Sequence, residues 1–269
     1  MVQSLYDLGR RLAPLAAFTR ARPLLAWGLW AGGFSLLSFL VIDRPLARLV
    51  HDEIPCCLLT ASQYLSPLGD ATIWYLLAVG GWLYSQHRVT AAGGHAAMGT
   101  MVSARLAKWL DKARPTPEGE EPPPPPEHDE AAIARWRQHA RSWVFMLANM
   151  LAAGILLHVI KLTVGRPRPK HLIDDGTYFG FEPFSGFNSF PSGHSQAIFS
   201  ALIALAFMVP KYTKWLMGLA VLVALSRVGV SAHYLSDVVM GSYLAIAVAF
   251  ALKTRFEAAG VPLALERHG

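Results

Sequence analysis

Between Pro23 and Ile42 the chain runs for twenty residues without a charged side chain. A helix rising about 1.5 Å per residue needs about 20 apolar residues to cross the roughly 30 Å hydrocarbon core of a bilayer. This stretch meets that requirement and restricts the fold to those in which lipid replaces water around part of the surface. Composition agrees, because charged residues make up 16% of the chain against about 25% in a typical soluble protein. Arg10, Arg11, Arg20 and Arg22 precede the stretch, as in a signal peptide. The apolar run is too long for one, and no small-residue cleavage site follows it. We expect a retained first helix.

Five more apolar stretches follow, at 71–86, 143–164, 195–209, 213–230 and 235–252. With the first at 23–42 they predict an all-α polytopic membrane protein with six transmembrane helices in a bundle. The second and fourth are shorter than a full crossing requires, a length that also suits buried core helices. When the stretches alternate sides, most of the 24 Lys and Arg fall on one face, in the two tails, in 87–141 and at Lys211 and Lys214. Such an excess marks the cytoplasmic side. Both termini and 87–141 are therefore expected in the cytoplasm, at the inner (cytoplasmic) membrane, with the other connections facing the periplasm or exterior. The chain is read as a single domain, 1–269, with 87–141 as an insertion.

Within that insertion PTPEGEEPPPPPEHDE carries five successive prolines at 122–126. They cannot be helical and favour an extended polyproline II spacer, either a plain linker or a partner-binding segment. The flanking AAIARWRQHARSW is expected to lie on the headgroups as an amphipathic helix, its arginines attracted to anionic lipid. Cys56 and Cys57 are neighbours, too close for ordinary disulfide geometry, and belong to no metal-ligand motif. The basic residues are dispersed beside apolar stretches, which fits membrane topology and argues against nucleic acid.

Three motifs carry chemistry. Lys161, Arg166 and Arg168 stand in KLTVGRPRP at the end of the third stretch, and cations at membrane depth are functional candidates. Snorkelling to the headgroups suits Arg166 and Lys170, but Lys161 less. PSGH, 191–194, precedes the fourth stretch. Pro191 and Ser192 mark a helix start, where free backbone N–H groups bind phosphate. Gly193 admits close approach, and His194 can give or take a proton. SRVGVSAHYLSD, 226–237, joins the last two stretches. If His233 to Asp237 is helical, the carboxylate lies one turn from the imidazole, as in a nucleophile or base with an orienting acid. Arg227 adds a fork of donors suited to phosphate oxygens. The alternation of spans puts all three motifs at the face opposite the basic loops, which specifies an oxyanion site at a membrane surface.

These residues resemble the signature of the type 2 phosphatidic acid phosphatase superfamily, in its integral membrane lipid phosphatase branch. That signature reads Lys, six residues, Arg-Pro; then Pro-Ser-Gly-His; then Ser-Arg, five residues, His, three residues, Asp. Lys161 to Pro169, Pro191 to His194 and Ser226 to Asp237 fill every position. The resemblance implies a phosphatase without metal or other cofactor, acting on a lipid phosphate in the bilayer through a phosphohistidine. By similarity His233 is the nucleophile, Asp237 orients it, and His194 protonates the leaving oxygen and then activates water. Lys161, Arg168, Ser192, Gly193 and Arg227 would hold the phosphoryl oxygens.

The sequence does not choose among phosphatidic acid, phosphatidylglycerol phosphate, undecaprenyl pyrophosphate and lipid A, nor does it set the oligomeric state. A phosphotransferase would use the same intermediate, and a non-enzymatic lipid transporter or binder would need the cations but not two proton-handling histidines. Tyr178, Phe179, Phe181, Phe184, Phe187 and Phe190, between the first two motifs, suit either contact with lipid chains or anchoring at the interface. His158, one turn before Lys161, is expected to pack as an ordinary helix residue.

Overall fold

The computed structural model describes residues 18–94 and 129–265, and every regular element in them is helical. The proline run and the basic leader residues Arg10 and Arg11 lie outside the described residues. Helix α1, Pro23–Leu37, passes through a π-helical turn, Ser38–Ile42, directly into α2, Asp43–Glu53. The first apolar stretch therefore does not end at Ile42 but continues as helix past Asp43. Pro55 then introduces α3, Cys56–Leu65, and a 3-10 turn, Ser66–Gly69.

Asp70 starts α4, Ala71–Ala91, by accepting the Thr72 N–H at 2.8 Å, as a helix-start residue should. Asp129 does the same for α5, Glu130–Val164, through the Ala132 N–H at 2.9 Å. The stretch around Trp136 is thus no separate surface helix. It is the first third of one helix of 35 residues, about 52 Å long at 1.5 Å per residue. After the short α6, Pro169–Asp174, come α7, Gly193–Met208, α8, Thr213–Gly229, and α9, Leu235–Ala258.

Helix α7 is the axis of the bundle. Ile198, Phe199 and Leu202 on one side pack with Ala220, Val223 and Ala224 of α8 and Val238 and Ala245 of α9. Ala201 and Ala204 on the other side pack with Ala78 of α4 and Phe145, Met146 and Met150 of α5. Small residues on α7 allow close helix approach. Its run of buried apolar side chains explains why the shortest apolar stretch is also the best buried one. The outer surface is the reverse of a soluble protein, with Trp27, Leu29, Trp30, Leu40, Leu76, Leu151, Ile155 and Leu162 all exposed. Lipid, not water, suits such a belt.

Three helical segments among the described residues are long and apolar enough to cross a membrane: Pro23–Glu53, Glu130–Asp174 and Leu235–Ala258. Helix α7 is a shorter apolar helix.

Candidate active site

The end of α5 is set by Gly165, whose φ of +56° only glycine adopts freely. A Cβ there would stand 1.9 Å from the Glu182 carbonyl oxygen, so the chain crosses itself tightly where the first motif leaves the helix. The second motif behaves as its sequence predicts. Ser192 is the N-cap of α7 and accepts the Ser195 N–H at 3.4 Å, while the Ser195 hydroxyl donates to it at 2.9 Å. Its backbone N–H donates to the Asp237 carbonyl at 2.9 Å. A Cβ on Gly241 would lie 2.4 Å from the Ser192 carbonyl oxygen, so α9 can meet this turn only because residue 241 has no side chain.

The third motif differs in detail from the expected helical pair. Helix α9 begins at Leu235, and His233 lies before it, in a turn that includes Ser231 at φ +52°. The Arg227 carbonyl accepts the N–H groups of Ala232 and His233 and ties that turn to the end of α8. His233 is 2% exposed, and its Nδ1 lies 2.8 Å from the Ser189 carbonyl oxygen. A carbonyl only accepts, so Nδ1 carries the proton and Nε2 keeps a free lone pair. Asp237 Oδ2 stands further off, 3.6 Å from Nδ1. The backbone carbonyl, not the carboxylate, is the direct partner that fixes the tautomer. Burial pushes the His233 imidazolium down from its ordinary value of 6.5, and the Asp237 carboxylate works against that shift.

The cations gather around this histidine. Arg168 lies within electrostatic reach of Lys161, His194, Arg227 and His233. Lys161 Nζ donates to the Asn188 carbonyl, and Arg168 Nε donates to the Asn188 side-chain oxygen at 3.0 Å. One loop residue thus holds two of the three cations of the first motif. A Cβ on Gly193 would be 3.9 Å from Lys161 Cε, which brings the first two motifs together. Arg227 donates through Nη1 to the Ser66 hydroxyl, while its buried Nε has no partner among the described residues. His194 packs on Gly69, where a Cβ would be 2.8 Å from its own, and Asp70 acts on it electrostatically. All eight residues of the sequence reading therefore converge, with Ser192 spending its hydroxyl on the helix start.

Arg166 corrects the sequence reading. It does not snorkel to headgroups but is 0% exposed. Its Nη1 donates to Asp237 Oδ1 at 2.5 Å and to the Ser236 hydroxyl at 2.7 Å, and its Nη2 donates to Asp43 Oδ2 at 2.9 Å. Tyr234, Phe39, Phe179 and Phe181 surround the guanidinium at 3.9 to 5.3 Å from their ring centres. Phe179 and Phe181 stack on Phe39, so these two aromatics lie against a cation, though Phe181 remains partly open to the surface and Phe184 stays 78% exposed. His158 does not pack either; it is exposed and bonds to Gly154 within its own helix.

The sequence pattern of the PAP2 superfamily matches residues 142–260, from the middle of α5 past the end of α9. This part of the chain belongs to the PAP2 superfamily. Two relatives are lipid A 1-phosphatases. That of Rhizobium etli is 39% identical over 105 residues, 37% of this chain and 45% of the relative. That of Rhizobium johnstonii is 39% identical over 118 residues, 42% of this chain and 47% of the relative. An undecaprenyl-diphosphatase of Sulfolobus acidocaldarius is 31% identical over 132 residues, 48% of this chain and 62% of the relative. The chain thus spans about half the length of the two lipid A 1-phosphatases. No solved structure matches it at a significant level.

The PAP2 region contains all three motifs, but Asp43, Ser66, Gly69 and Asp70 lie outside it and still touch the site. Ser189 and Asn188 lie within it and were missed by sequence reading. Their one visible signal is their position two and three residues before Pro191.

Proposed function

We propose that this protein is a membrane lipid phosphatase acting through a phosphohistidine at His233, with lipid A 1-phosphate as its first candidate substrate. The observation that carries the reading is the buried His233, its Nδ1–H held by the Ser189 carbonyl and its Nε2 free, among Lys161, Arg168 and His194. In this reading Nε2 attacks phosphorus, the N–P bond forms, and the P–O bond to the lipid breaks with its electron pair going to the leaving oxygen. His194 gives that oxygen its proton. It then takes one from water, whose oxygen bonds to phosphorus as the N–P pair returns to His233. Lys161, Arg168, Arg227 and the N–H groups at the start of α7 hold the phosphoryl oxygens, since phosphoryl transfer is catalysed mostly by position and charge.

The same reading takes the chain as one domain of six spans, with α4, α7 and α8 completing the crossings. Both termini face the cytoplasm of an inner (cytoplasmic) membrane, and the site faces the periplasm or exterior. The relation to an undecaprenyl-diphosphatase over 132 residues supports a second candidate, a polyprenyl diphosphate.

The test is phosphate release by purified protein in detergent, with EDTA present, from lipid A 1-phosphate, undecaprenyl diphosphate, phosphatidic acid and phosphatidylglycerol phosphate. Expected is release that drops at least about 10³-fold in His233→Ala. Release untouched by that change overturns the phosphohistidine. Phosphorylation of an added acceptor without free phosphate makes the protein a transferase, and lipid binding with neither product makes it a binder.

A further inference from the structure

Asp237 faces a difficulty of charge. Its Oδ1 is bonded to Arg166 at 2.5 Å, and both side chains are essentially sealed from solvent, at 0% and 1% exposed. A guanidinium that close offsets the negative charge that the imidazole of His233 would otherwise feel. In the proposed reaction that ring becomes cationic, and a neutral Arg–Asp pair stabilises a cation poorly.

The structure holds a second carboxylate on the same guanidinium. Asp43, 1% exposed, takes Arg166 Nη2 at 2.9 Å. Ser38 donates to its Oδ1 at 2.7 Å, and the Ser236 N–H at the start of α9 donates to the same oxygen at 3.1 Å. The Ser236 hydroxyl, which also touches Arg166, donates to Asp43 Oδ2. Two carboxylates therefore share one guanidinium, so the buried group sets two acidic side chains against one basic one. Asp43 comes from α2, outside residues 142–260 that carry the family pattern.

Resting on the function proposed above, we propose that Asp43 is a positioning residue of the phosphatase site. Its carboxylate balances Arg166, so that Asp237 remains an effective negative partner for His233. Arg166 in turn holds Asp237 in place, and α2 becomes part of the active centre without touching substrate.

The charged and titratable groups that face His233 are Asp237 from α9, Lys161 from α5, Arg168 from the following loop and His194 from α7. Arg166, Asp43 and Tyr234 stand behind Asp237. Changing the charge at Asp43 or Arg166 leaves the identity of the first four unaltered, so the electrostatic effect on His233 has a defined sign.

The experiment is the NMR titration of His233 in the full chain in detergent, its resonance assigned by its loss in His233→Ala, alongside kcat and KM. Asp43→Asn removes a negative charge and should lower the His233 midpoint by about one unit, the size expected for a charge several ångströms away at an effective dielectric near 20. Arg166→Gln should raise it. The double variant Asp43→Asn/Arg166→Gln restores the net charge and should return the midpoint close to wild type. In activity, Asp43→Asn should lose about tenfold or more in kcat with little change in KM, and the double variant should recover part of it. A purely structural Asp43 gives no such order, and the double variant is then worse than either single one. Midpoints that agree in all the folded variants overturn the proposal. If Asp43→Asn does not fold, the opposite displacement in Arg166→Gln and its cancellation in the double variant decide the matter. A wild type inactive on every lipid removes the phosphatase reading, while the titration order still reports whether Asp43 sets the charge at His233.

Discussion

Ser189 does three things at once. Its carbonyl holds His233 Nδ1, its hydroxyl donates to Asp237 Oδ2 at 2.6 Å, and its N–H donates to the Arg166 carbonyl at 2.9 Å. Ser189→Ala keeps both backbone bonds and removes only the bond to the buried carboxylate. A hydrogen bond to a charged group contributes about 1.5–3 kcal/mol. Thermal unfolding in detergent should show a loss of that order, and an unchanged melting temperature would mean that the carboxylate does not depend on it. His233 gives a pH dependence of definite sign. Burial holds its folded-state value below the ordinary 6.5, so below about pH 6.5 the unfolded chain binds a proton that the folded one does not. Stability therefore falls as pH drops through that value and is fully regained above it. A melting series from pH 7.5 to 5.5 should fall more steeply for wild type than for His233→Gln; parallel slopes would assign the acid sensitivity to another group.

At the level of elements, the site depends on close approaches at glycines that bear no chemistry of their own. Gly241 on α9 lets the Ser192 turn come within contact, and Gly69 does the same for His194. Gly218 on α8, by contrast, faces open space. Gly241→Ala has only backbone to push against and should destabilise by about 1–3 kcal/mol, as overpacking does. It should also lower kcat, because the Ser192 turn begins the end of α7 proposed to hold the phosphoryl oxygens. Gly218→Ala should be neutral or slightly stabilising, since Ala is the better helix former. Equal effects at the two positions would show that the α9 contact is not tight. Helix α5 carries a further lesson. Residues 130–142 read as a surface segment because their arginines break the apolar run, yet helix propensity and the Asp129 cap continue one helix through them.

For the whole molecule the testable matter is sidedness. The chain has two cysteines, Cys56 and Cys57, both free and exposed at the start of α3. Helix α3 follows the first apolar helix and packs against α8, toward the end that carries the motifs. In the proposed topology a membrane-impermeant maleimide should label these thiols in intact spheroplasts. Labelling only after permeabilisation would invert the topology and place the site in the cytoplasm. The same arrangement explains why less than half of the molecule suffices for the family pattern but not for the site. Residues 142–260 supply the motifs, while α2 and the turn before α4 supply Asp43, Ser66, Gly69 and Asp70.

The existence and order of the apolar helices, the helix start at Ser192 and the eight residues that converge were all legible in the sequence, because each depends on local composition, capping or short spacing. The tertiary structure alone decided the rest. Asp43 meets Arg166 across 123 residues, and no local pattern announces that pair. A lone arginine beside an apolar run reads as a snorkelling surface residue until a partner carboxylate from another helix is brought against it. His233 likewise takes its nearest partner from the Ser189 backbone, 44 residues away, and a backbone carbonyl is present at every position of a sequence. Spacing can predict which residues share a helix turn. Which buried charges neutralise one another depends on how the helices pack, since a charge withdrawn from water must find its partner in the assembled interior.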